Sequence, residues 1–197
     1  MQIFDISQEL FNCSVFPGDK QPERIVLETI ESGSVCNLTG LSMCAHNGTH
    51  VDAPFHFYTE GKTIDQVNLN KFIGKCYVTF NEGPLTGQRA EEIMDKAKKL
   101  DSEAAKRILI GGDTYVTLEA AKVFSRENLS LVGNESQTVG PLEAPAEVHY
   151  ELLSAEVVLL EGIRLSGIEE GVYLLNAAPI NLGGSDGAPC RAILIRE

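Results

Sequence analysis

One short segment, residues 46–56, carries three of the chain's four histidines and limits what the chain can fold into more than any other feature. Asp52 lies between the second and the third of these histidines. Imidazole and carboxylate groups at this density are ligands of first-row divalent metals. A fold that uses them together has to bring closely spaced side chains to one point, so the local backbone conformation is the first question.

A metal-binding helix is the first alternative, because His46 and His50 are four residues apart, as in the HExxH helix of zinc proteases. That motif needs a glutamate at position 47, where this chain has Asn47. Gly48 and Pro54 also disfavour a regular helix through the segment. The sequence therefore argues against a zinc-protease helix.

An extended segment that follows a turn explains the spacing better. In an extended backbone, His50 and Asp52 are two residues apart and point to the same face. The Asn47-Gly48 dipeptide favours a tight turn, which can bring His46 round to the same side. A proline at position 54 then redirects the chain and can return His56 to the site. Three or four donors thus converge without a helix.

A histidine and a glutamate far along the chain complete the pattern. His149 lies on a predicted short helix, and Glu161 follows the apolar run 157–160. A carboxylate after such a run is costly to bury without a cation, and polar sites of α/β proteins form at the carboxyl ends of strands. The sequence predicts a metal site closed between residues 46–56 and this remote pair. Thr49 is either a supporting hydroxyl or an ordinary strand residue.

Cysteine catalysis, a structural zinc site and a non-catalytic metal-binding module are the alternative functions for these residues. Cys44 could be a further ligand or could form a nucleophilic pair with His46, but that pair leaves His50, Asp52 and His56 unexplained. A small buried core residue is the better interpretation of Cys44. A structural zinc site would more often use cysteine. A non-catalytic module that stores metal or senses a ligand remains an alternative.

Composition narrows the class of partner. The formal net charge is −12 and the sequence pI is about 4.8, which argue against nucleic acid and anionic membranes. No apolar run approaches the ~20 residues that span a bilayer, and the N-terminus lacks the basic start of a signal peptide. Five cysteines without a CxxC spacing favour a reducing compartment, so we expect a cytoplasmic protein. Residues 1–197 are expected to form one domain.

The hydrophobic pattern predicts an α/β fold with a mixed sheet. The first eighty residues are predicted to form β-strands, a βαβαβ unit follows, and further strands end the chain. Predicted strands are residues 2–6, 24–30, 35–44, 75–80, 107–110, 129–132, 157–160, 171–178 and 191–195. Predicted helices are residues 86–100, 117–125 and 146–153.

The spacing His-x-Gly-Thr-His-x-Asp-x-Pro-x-His in residues 46–56 resembles the signature of the cyclase family, which includes bacterial kynurenine formamidase and isatin hydrolase. Four further segments, 5–7, 17–19, 159–163 and 186–192, resemble elements of the same family. The formamidase members usually have a tryptophan where Phe16 precedes Pro17, and segment 133–138 also differs from their usual aspartate-containing stretch.

The resemblance implies a swivelling β/β/α fold that holds one or two divalent ions per subunit, Zn²⁺ or Mn²⁺. It also implies a role for each site residue. The first ion would be bound by His46 and His50, the second by His149, both by the bridging Asp52 and by Glu161, and His56 would be the proton donor and acceptor.

The resemblance further implies a hydrolase of a C–N bond in a small amide, with N-formylkynurenine as the leading candidate substrate. A bound metal lowers the pKa of water from 15.7 toward ~7, so that a hydroxide attacks the carbonyl while His56 shuttles the proton. A cyclic amide or a lactone, as in isatin hydrolase, is the alternative substrate. A homodimer or a higher homo-oligomer is expected. Aromatic side chains that could line the pocket or belong to the core are Phe16, Phe55, Phe57 and Tyr58.

Overall fold

The structure, a computed structural model, describes residues 1–196. Over this range the chain forms strands and helices in an order close to the predicted one. The strands are β1 (Gln2–Asp5), β2 (Glu23–Glu28), β3 (Leu38–Ser42), β4 (His50–Asp52), β5 (Ile73–Phe80), β6 (Gly83–Leu85), β7 (Arg107–Gly111), β8 (Thr114–Val116), β9 (Leu131–Asn134), β10 (Val158–Glu161), β11 (Gly171–Asn176), β12 (Gly187–Pro189) and β13 (Ile193–Arg196). The α-helices are α1 (Gly87–Leu100), α2 (Leu118–Arg126) and α3 (Ala146–Ser154).

Nine strands form one mixed sheet, in the order β1-β13-β11-β5-β7-β9-β10-β4-β12. Its centre, β5-β7-β9-β10, is parallel, and the strands on both sides of that centre are antiparallel. Two small ribbons, β2-β3 and β6-β8, stand apart from it. The parallel centre matters for function, because the carboxyl ends of its strands meet at one edge.

The central strands are buried on both faces, and their side chains alternate between two cores. Ile108 and Ile110 of β7, with Leu159 of β10, pack against the layer of helices. Leu109 of β7 and Leu160 of β10 point to the opposite face and pack there with the outer strands. This alternation follows from the period of two residues in a strand. It also fixes the face to which Glu161, two residues after Leu159, must point.

The helices form where the sequence supplies caps and an apolar stripe. The Thr86 hydroxyl accepts a hydrogen bond from the backbone N–H of Arg89 at 3.2 Å and starts α1, and Thr117 caps α2 in the same way. The buried residues of α1 recur at helical spacing: Ala90, Ile93, Met94 and Ala97. In α2 the buried residues are Ala120, Ala121, Val123 and Phe124, whereas Leu118 is only half-buried.

The α/β class and the mixed sheet are confirmed, and most differences lie at element ends. The strand predicted over 35–44 is limited to β3, since a left-handed Gly33 and the following bends take up the residues before it. The strand predicted over 129–132 begins at Leu131. The three-residue strands β6, β8 and β12 were not predicted, because so few residues show no periodicity.

The part of the chain that the structure describes contains no helix that is both long enough and apolar enough to cross a membrane.

Candidate metal centre

The pairing of β4 with β10 brings the histidine segment to the end of the parallel sheet. The two strands are antiparallel, so His50, the first residue of β4, lies opposite Glu161, the last residue of β10. Asp52 lies opposite Leu159 in the same register. Since Leu159 packs toward the helices, His50, Asp52 and Glu161 all point to the helix side of the sheet. The predicted extended geometry of residues 50–52 is confirmed.

A backbone carbonyl fixes the imidazole of His50. The carbonyl of Gly48 can only accept, so Nδ1 of His50, 3.0 Å away, is the donor. This bond leaves Nε2 facing two carboxylates, 3.2 Å from Oε2 of Glu161 and 3.5 Å from Oδ1 of Asp52. Although these distances are short, Nε2 has no partner in hydrogen-bond geometry. The nitrogen is aimed at the carboxylates without being satisfied by them.

A backbone carbonyl also fixes the ring of the remote histidine. His149 lies on α3, where its Nδ1 donates to the carbonyl of Pro145 at 2.9 Å. Its Nε2 is 3.2 Å from Oε1 of Glu161 and 3.6 Å from Oδ2 of Asp52. The backbone N–H of Val139 donates to the same Oε1 at 2.8 Å and holds the carboxylate in place. The predicted convergence of His149 and Glu161 with residues 46–56 is therefore observed.

These four residues, which we call the inner cluster, are His50, Asp52, His149 and Glu161. All are at most 3% exposed. Two buried carboxylates face two imidazole nitrogens, so a positive charge has to lie among them, as a second proton on the rings or as a metal cation. Oδ2 of Asp52, like Nε2 of His50, is buried without a partner. The donor set of nitrogen and carboxylate oxygen fits Zn²⁺ or Mn²⁺.

A second group, which we call the outer cluster, consists of His46, His56 and Asp186. Nδ1 of His46 is 2.8 Å from Oδ1 of Asp52, and its Nε2 is 2.9 Å from Oδ2 of Asp186. Nδ1 of His56 is 3.2 Å from the same Oδ2. The rings of His46 and His56 stack, with centroids 4.0 Å apart. His46 therefore touches both clusters, through one carboxylate on each side.

Within the described residues, three sets of donors are close enough to share an ion. They are His46/His50/Asp52, Asp52/His149/Glu161 and His46/His56/Asp186. Asp52 is common to the first two sets, as a bridging ligand would be.

The pKa values of the site residues are shifted by the opposite charges and hydrogen bonds of their neighbours. Burial lowers the pKa of His46, but the charge of Asp52 and hydrogen bonds to Asp186 and Asp52 outweigh it and raise that pKa to about 11. Burial also opposes protonation of His149, yet Glu161 and Asp52 raise its pKa to about 9. The pKa of Asp186 is held well below its usual range by its hydrogen bonds with His46 and His56.

The two inner carboxylates stay ionised for the same reason. Burial raises the pKa of Asp52, but the charges of the neighbouring imidazoles, His46 first, bring it below its usual value. Burial and the charge of Asp52 raise the pKa of Glu161, and its close contacts with His149 and His50 lower it overall. Both carboxylates are thus available as anionic ligands.

The turn before β4 has the predicted form. Gly48 adopts a left-handed φ of 65°, and the side-chain oxygen of Asn47 accepts the N–H of Cys44 at 2.9 Å. The Thr49 hydroxyl donates to the carbonyl of Gly162 at 2.7 Å and so ties β4 to the turn after Glu161. A short 3-10 turn, Pro54–His56, returns His56 to the site as expected.

A cavity of about 480 Å³ opens onto both clusters. Phe16, Phe57 and Cys44 line it, and the ring of Phe57 stacks on His149 with centroids 4.8 Å apart. Phe55 is partly exposed and Tyr58 donates to the carbonyl of Tyr150, and neither lines the cavity. Of the four aromatic residues in question, two therefore line the pocket.

Asp186 is the site residue that sequence reasoning missed. It precedes β12, which pairs with β4 so that Gly187 lies opposite Asp52. A Cβ at Gly187 would come within 2.7 Å of Cε1 of His46, so the absence of a side chain gives that ring its place. The only available signal was the lone aspartate in a segment already noted, residues 186–192. Gln137 and Thr138, which also line the cavity, belong to segment 133–138, already noted as a departure from the formamidase pattern.

Comparisons with known proteins bear on the family and the fold of this chain. A family model described as "Putative cyclase" matches residues 4–141. A protein of Geobacillus thermodenitrificans named kynurenine formamidase is 35% identical over 96% of this chain and 95% of its own length. The solved structure of a potential metal-dependent hydrolase with cyclase activity has a TM-score of 0.80 at 26% identity and covers 100% of this chain and 98% of its own. Isatin hydrolase A from Labrenzia aggregata, at 19% identity, shares the fold, with a TM-score of 0.79 over 98% of this chain and 93% of its own.

Proposed function

The chain belongs to the cyclase family and is a metal-dependent hydrolase of small amides, and we propose that its substrate is an aryl formamide, with N-formylkynurenine as the leading candidate. One observation carries the chemistry. In the inner cluster two imidazole nitrogens and two carboxylates point at one another, buried, beside a cavity that His56 also lines.

We propose that His46, His50, Asp52, His149 and Glu161 are the metal ligands. The two donor sets that share Asp52 support two ions per subunit, with Asp52 as the bridge, while one ion remains the simpler case. Zn²⁺ or Mn²⁺ suits these nitrogen and oxygen donors. A divalent ion bound there supplies a water molecule of lowered pKa and polarises the carbonyl of the substrate.

His56 is the proposed proton-transfer residue. Its side chain is 29% exposed, and its Nε2 lies 4.0 Å from Oδ2 of Asp52. It thus reaches the donor set and the cavity together. As a C–O bond forms at the formyl carbon, His56 takes the proton of the attacking water. It then passes that proton to the leaving nitrogen as the C–N bond breaks, which gives formate and an amine.

We also propose that residues 1–197 act as one domain in a cytoplasmic homodimer or larger homo-oligomer. Five cysteines without a disulfide suit a reducing compartment. Exposed aliphatic side chains on and beside the β2-β3 ribbon support an oligomer, since monomers rarely expose such patches. They are Val26, Leu27, Ile30, Val35, Leu38 and Leu41. Light scattering behind size exclusion tests the assembly, and a monomer at micromolar concentration would reject it.

Turnover tests the reaction. The purified protein is stripped with a chelator, reconstituted with Zn²⁺ or Mn²⁺, and assayed with N-formylkynurenine. We expect metal-dependent hydrolysis with a kcat/KM of roughly 10⁴ M⁻¹s⁻¹ or more. Metal binding without turnover of this substrate would reject an aryl formamide and direct the assay to cyclic amides and lactones. Turnover that survives complete removal of metal would reject the metal mechanism.

A further inference from the structure

Asp186 makes contacts that none of the proposed ligand or proton-transfer roles accounts for. A single carboxylate oxygen, Oδ2, is 2.9 Å from Nε2 of His46 and 3.2 Å from Nδ1 of His56. The two rings that it joins are stacked, at an interplanar angle of 28°. One oxygen thus contacts a proposed metal ligand and the proposed proton-transfer residue at the same time.

The backbone around Asp186 is held firmly enough to aim this carboxylate. Its carbonyl accepts the N–H of Ala53 at 2.9 Å, just before the turn that carries His56. The carbonyl of Ser185 accepts the N–H of Ile64, and the N–H of Gly184 donates to Asp65, both at 2.9 Å. The segment is therefore tied to the same loop that presents His56.

The contact decides where the protons of both rings lie. An ionised carboxylate only accepts, so His46 must donate from Nε2 and His56 from Nδ1. Nδ1 of His46 is 2.8 Å from Oδ1 of Asp52, so in the absence of metal this nitrogen donates as well. A metal shared with His50 and Asp52 would take the place of that proton. His56 offers Nε2, which faces Asp52 and the cavity. The wrong tautomer of either ring would put a hydrogen where a lone pair is needed.

We propose that Asp186 is the positioning residue of this site, which fixes the orientation and the tautomer of His56 and His46 through one shared oxygen. The role in proton transfer rests on the proposed function, whereas the tautomers do not depend on any substrate. Asp186 contacts His46 and His56 but none of the four residues of the inner cluster, so its removal should change the rate without removing that cluster.

The first experiment measures the tautomers directly. Long-range ¹H–¹⁵N spectra of the four histidines are recorded for the Zn²⁺-loaded protein and for Asp186→Ala. We expect His56 protonated at Nδ1 in the parent protein, and a shift toward Nε2 protonation in the variant. A parent protein in which His56 is protonated at Nε2, or a variant spectrum identical to the parent's, would overturn the proposal. The spectra remain decisive even if no formamide is hydrolysed, an outcome that would reject only the proposed function.

Kinetics then separates positioning from simple structural support. We expect Asp186→Ala to lower kcat by about 10–100-fold at saturating Zn²⁺, with KM unchanged. Because Asp186 is solvent-accessible, with 41% of its side chain exposed, added acetate should restore part of kcat. Asp95→Asn, which removes an exposed carboxylate of α1, should leave kcat unchanged. An equal loss in Asp95→Asn, or a kcat for Asp186→Ala equal to that of the parent, would contradict the proposal.

A double substitution tests whether Asp186 acts on the rate through His56. Since Asp186 acts on the rate mainly through His56, Asp186→Ala should cost little more in a protein that already carries His56→Ala. Acetate should then restore nothing. Full additivity of the two losses would show that Asp186 works independently of His56 and would reject the positioning role.

Discussion

The inner and outer clusters contain the same kinds of side chain but are built differently. In the inner cluster, a backbone carbonyl orients each imidazole, Gly48 for His50 and Pro145 for His149, and the elements are two strands and a helix. In the outer cluster a carboxylate orients the rings, and the residues lie on turns. The inner groups are sealed, whereas 29% of the His56 side chain and 41% of that of Asp186 are exposed.

This difference indicates that the two clusters serve different functions within one site. Buried carboxylates without solvent demand a cation, so the inner cluster suits permanent binding of metal. A ring that reaches solvent and rests on a carboxylate can exchange protons during each turnover, so the outer cluster suits proton transfer. His46 contacts both, and it is where the two functions meet. The following predictions test whether binding and proton transfer separate along this line.

The largest effect is expected from the centre of the inner cluster. Asp52→Asn removes the carboxylate shared by both donor sets, so metal should be lost and kcat/KM should fall on the order of 10³-fold or more. Elemental analysis after gel filtration measures the metal, with Asp65→Asn as the matched control. If Asp52→Asn retains its full metal content, the bridging role is wrong.

A change confined to the outer cluster should separate the two functions. His56→Ala is expected to keep its bound metal and to lose roughly 10²–10⁴-fold in kcat, because the proton must then pass through solvent. The metal content and kcat are measured on the same preparation. Loss of metal in this variant would show that metal binding is not confined to the inner cluster. Undiminished turnover would show that His56 is not the proton-transfer residue.

A glycine tests how finely His46 is placed between the clusters. Gly187→Ala adds a methyl group 2.7 Å from Cε1 of His46 and from the carbonyl oxygen of Val51, so the ring must move. We expect a loss of about tenfold in metal affinity or kcat/KM. Gly183→Ala is the control, since its Cβ would meet nothing within 4 Å. If the two variants have the same metal affinity and the same kcat/KM, the close approach of Gly187 to His46 does not matter for function.

The smallest effect is a dependence of stability on pH in protein stripped with a chelator. The pKa of His149 is raised from 6.5 to about 9, so the folded chain holds a proton there that the unfolded chain loses above pH 6.5. This stabilisation is full below pH 6.5 and is lost as the pH rises to about 9. His46, with a pKa of about 11, extends the decline.

Thermal unfolding measures this linkage in two samples. The Tm of chelator-treated protein should fall between pH 6.5 and 9, whereas that of Zn²⁺-loaded protein should hold, because metal binding strengthens as its ligands lose protons. Parallel pH profiles for the two samples would indicate that the inner cluster does not exchange protons for metal.

Much of the fold followed from local pattern. The helices were predicted within a few residues, because Thr86 and Thr117 supply caps and the apolar residues recur at helical spacing. Strands β5, β7 and β10 were found as apolar runs. The ribbon β6-β8 and the strand β12 were missed, because their three-residue strands are specified by partners rather than by their own sequence.

The same contrast holds within the site. The sequence by itself determined the donor chemistry and the local geometry, because two-residue spacing places His50 and Asp52 on one face of any strand. Only the tertiary structure decided that Glu161 would lie opposite His50 and that Asp186, 140 residues from His46, would contact its ring. Those contacts depend on the register of β4 against β10 and β12. Register is fixed by the packing of the whole sheet, so it cannot be inferred from the spacing of residues within one segment.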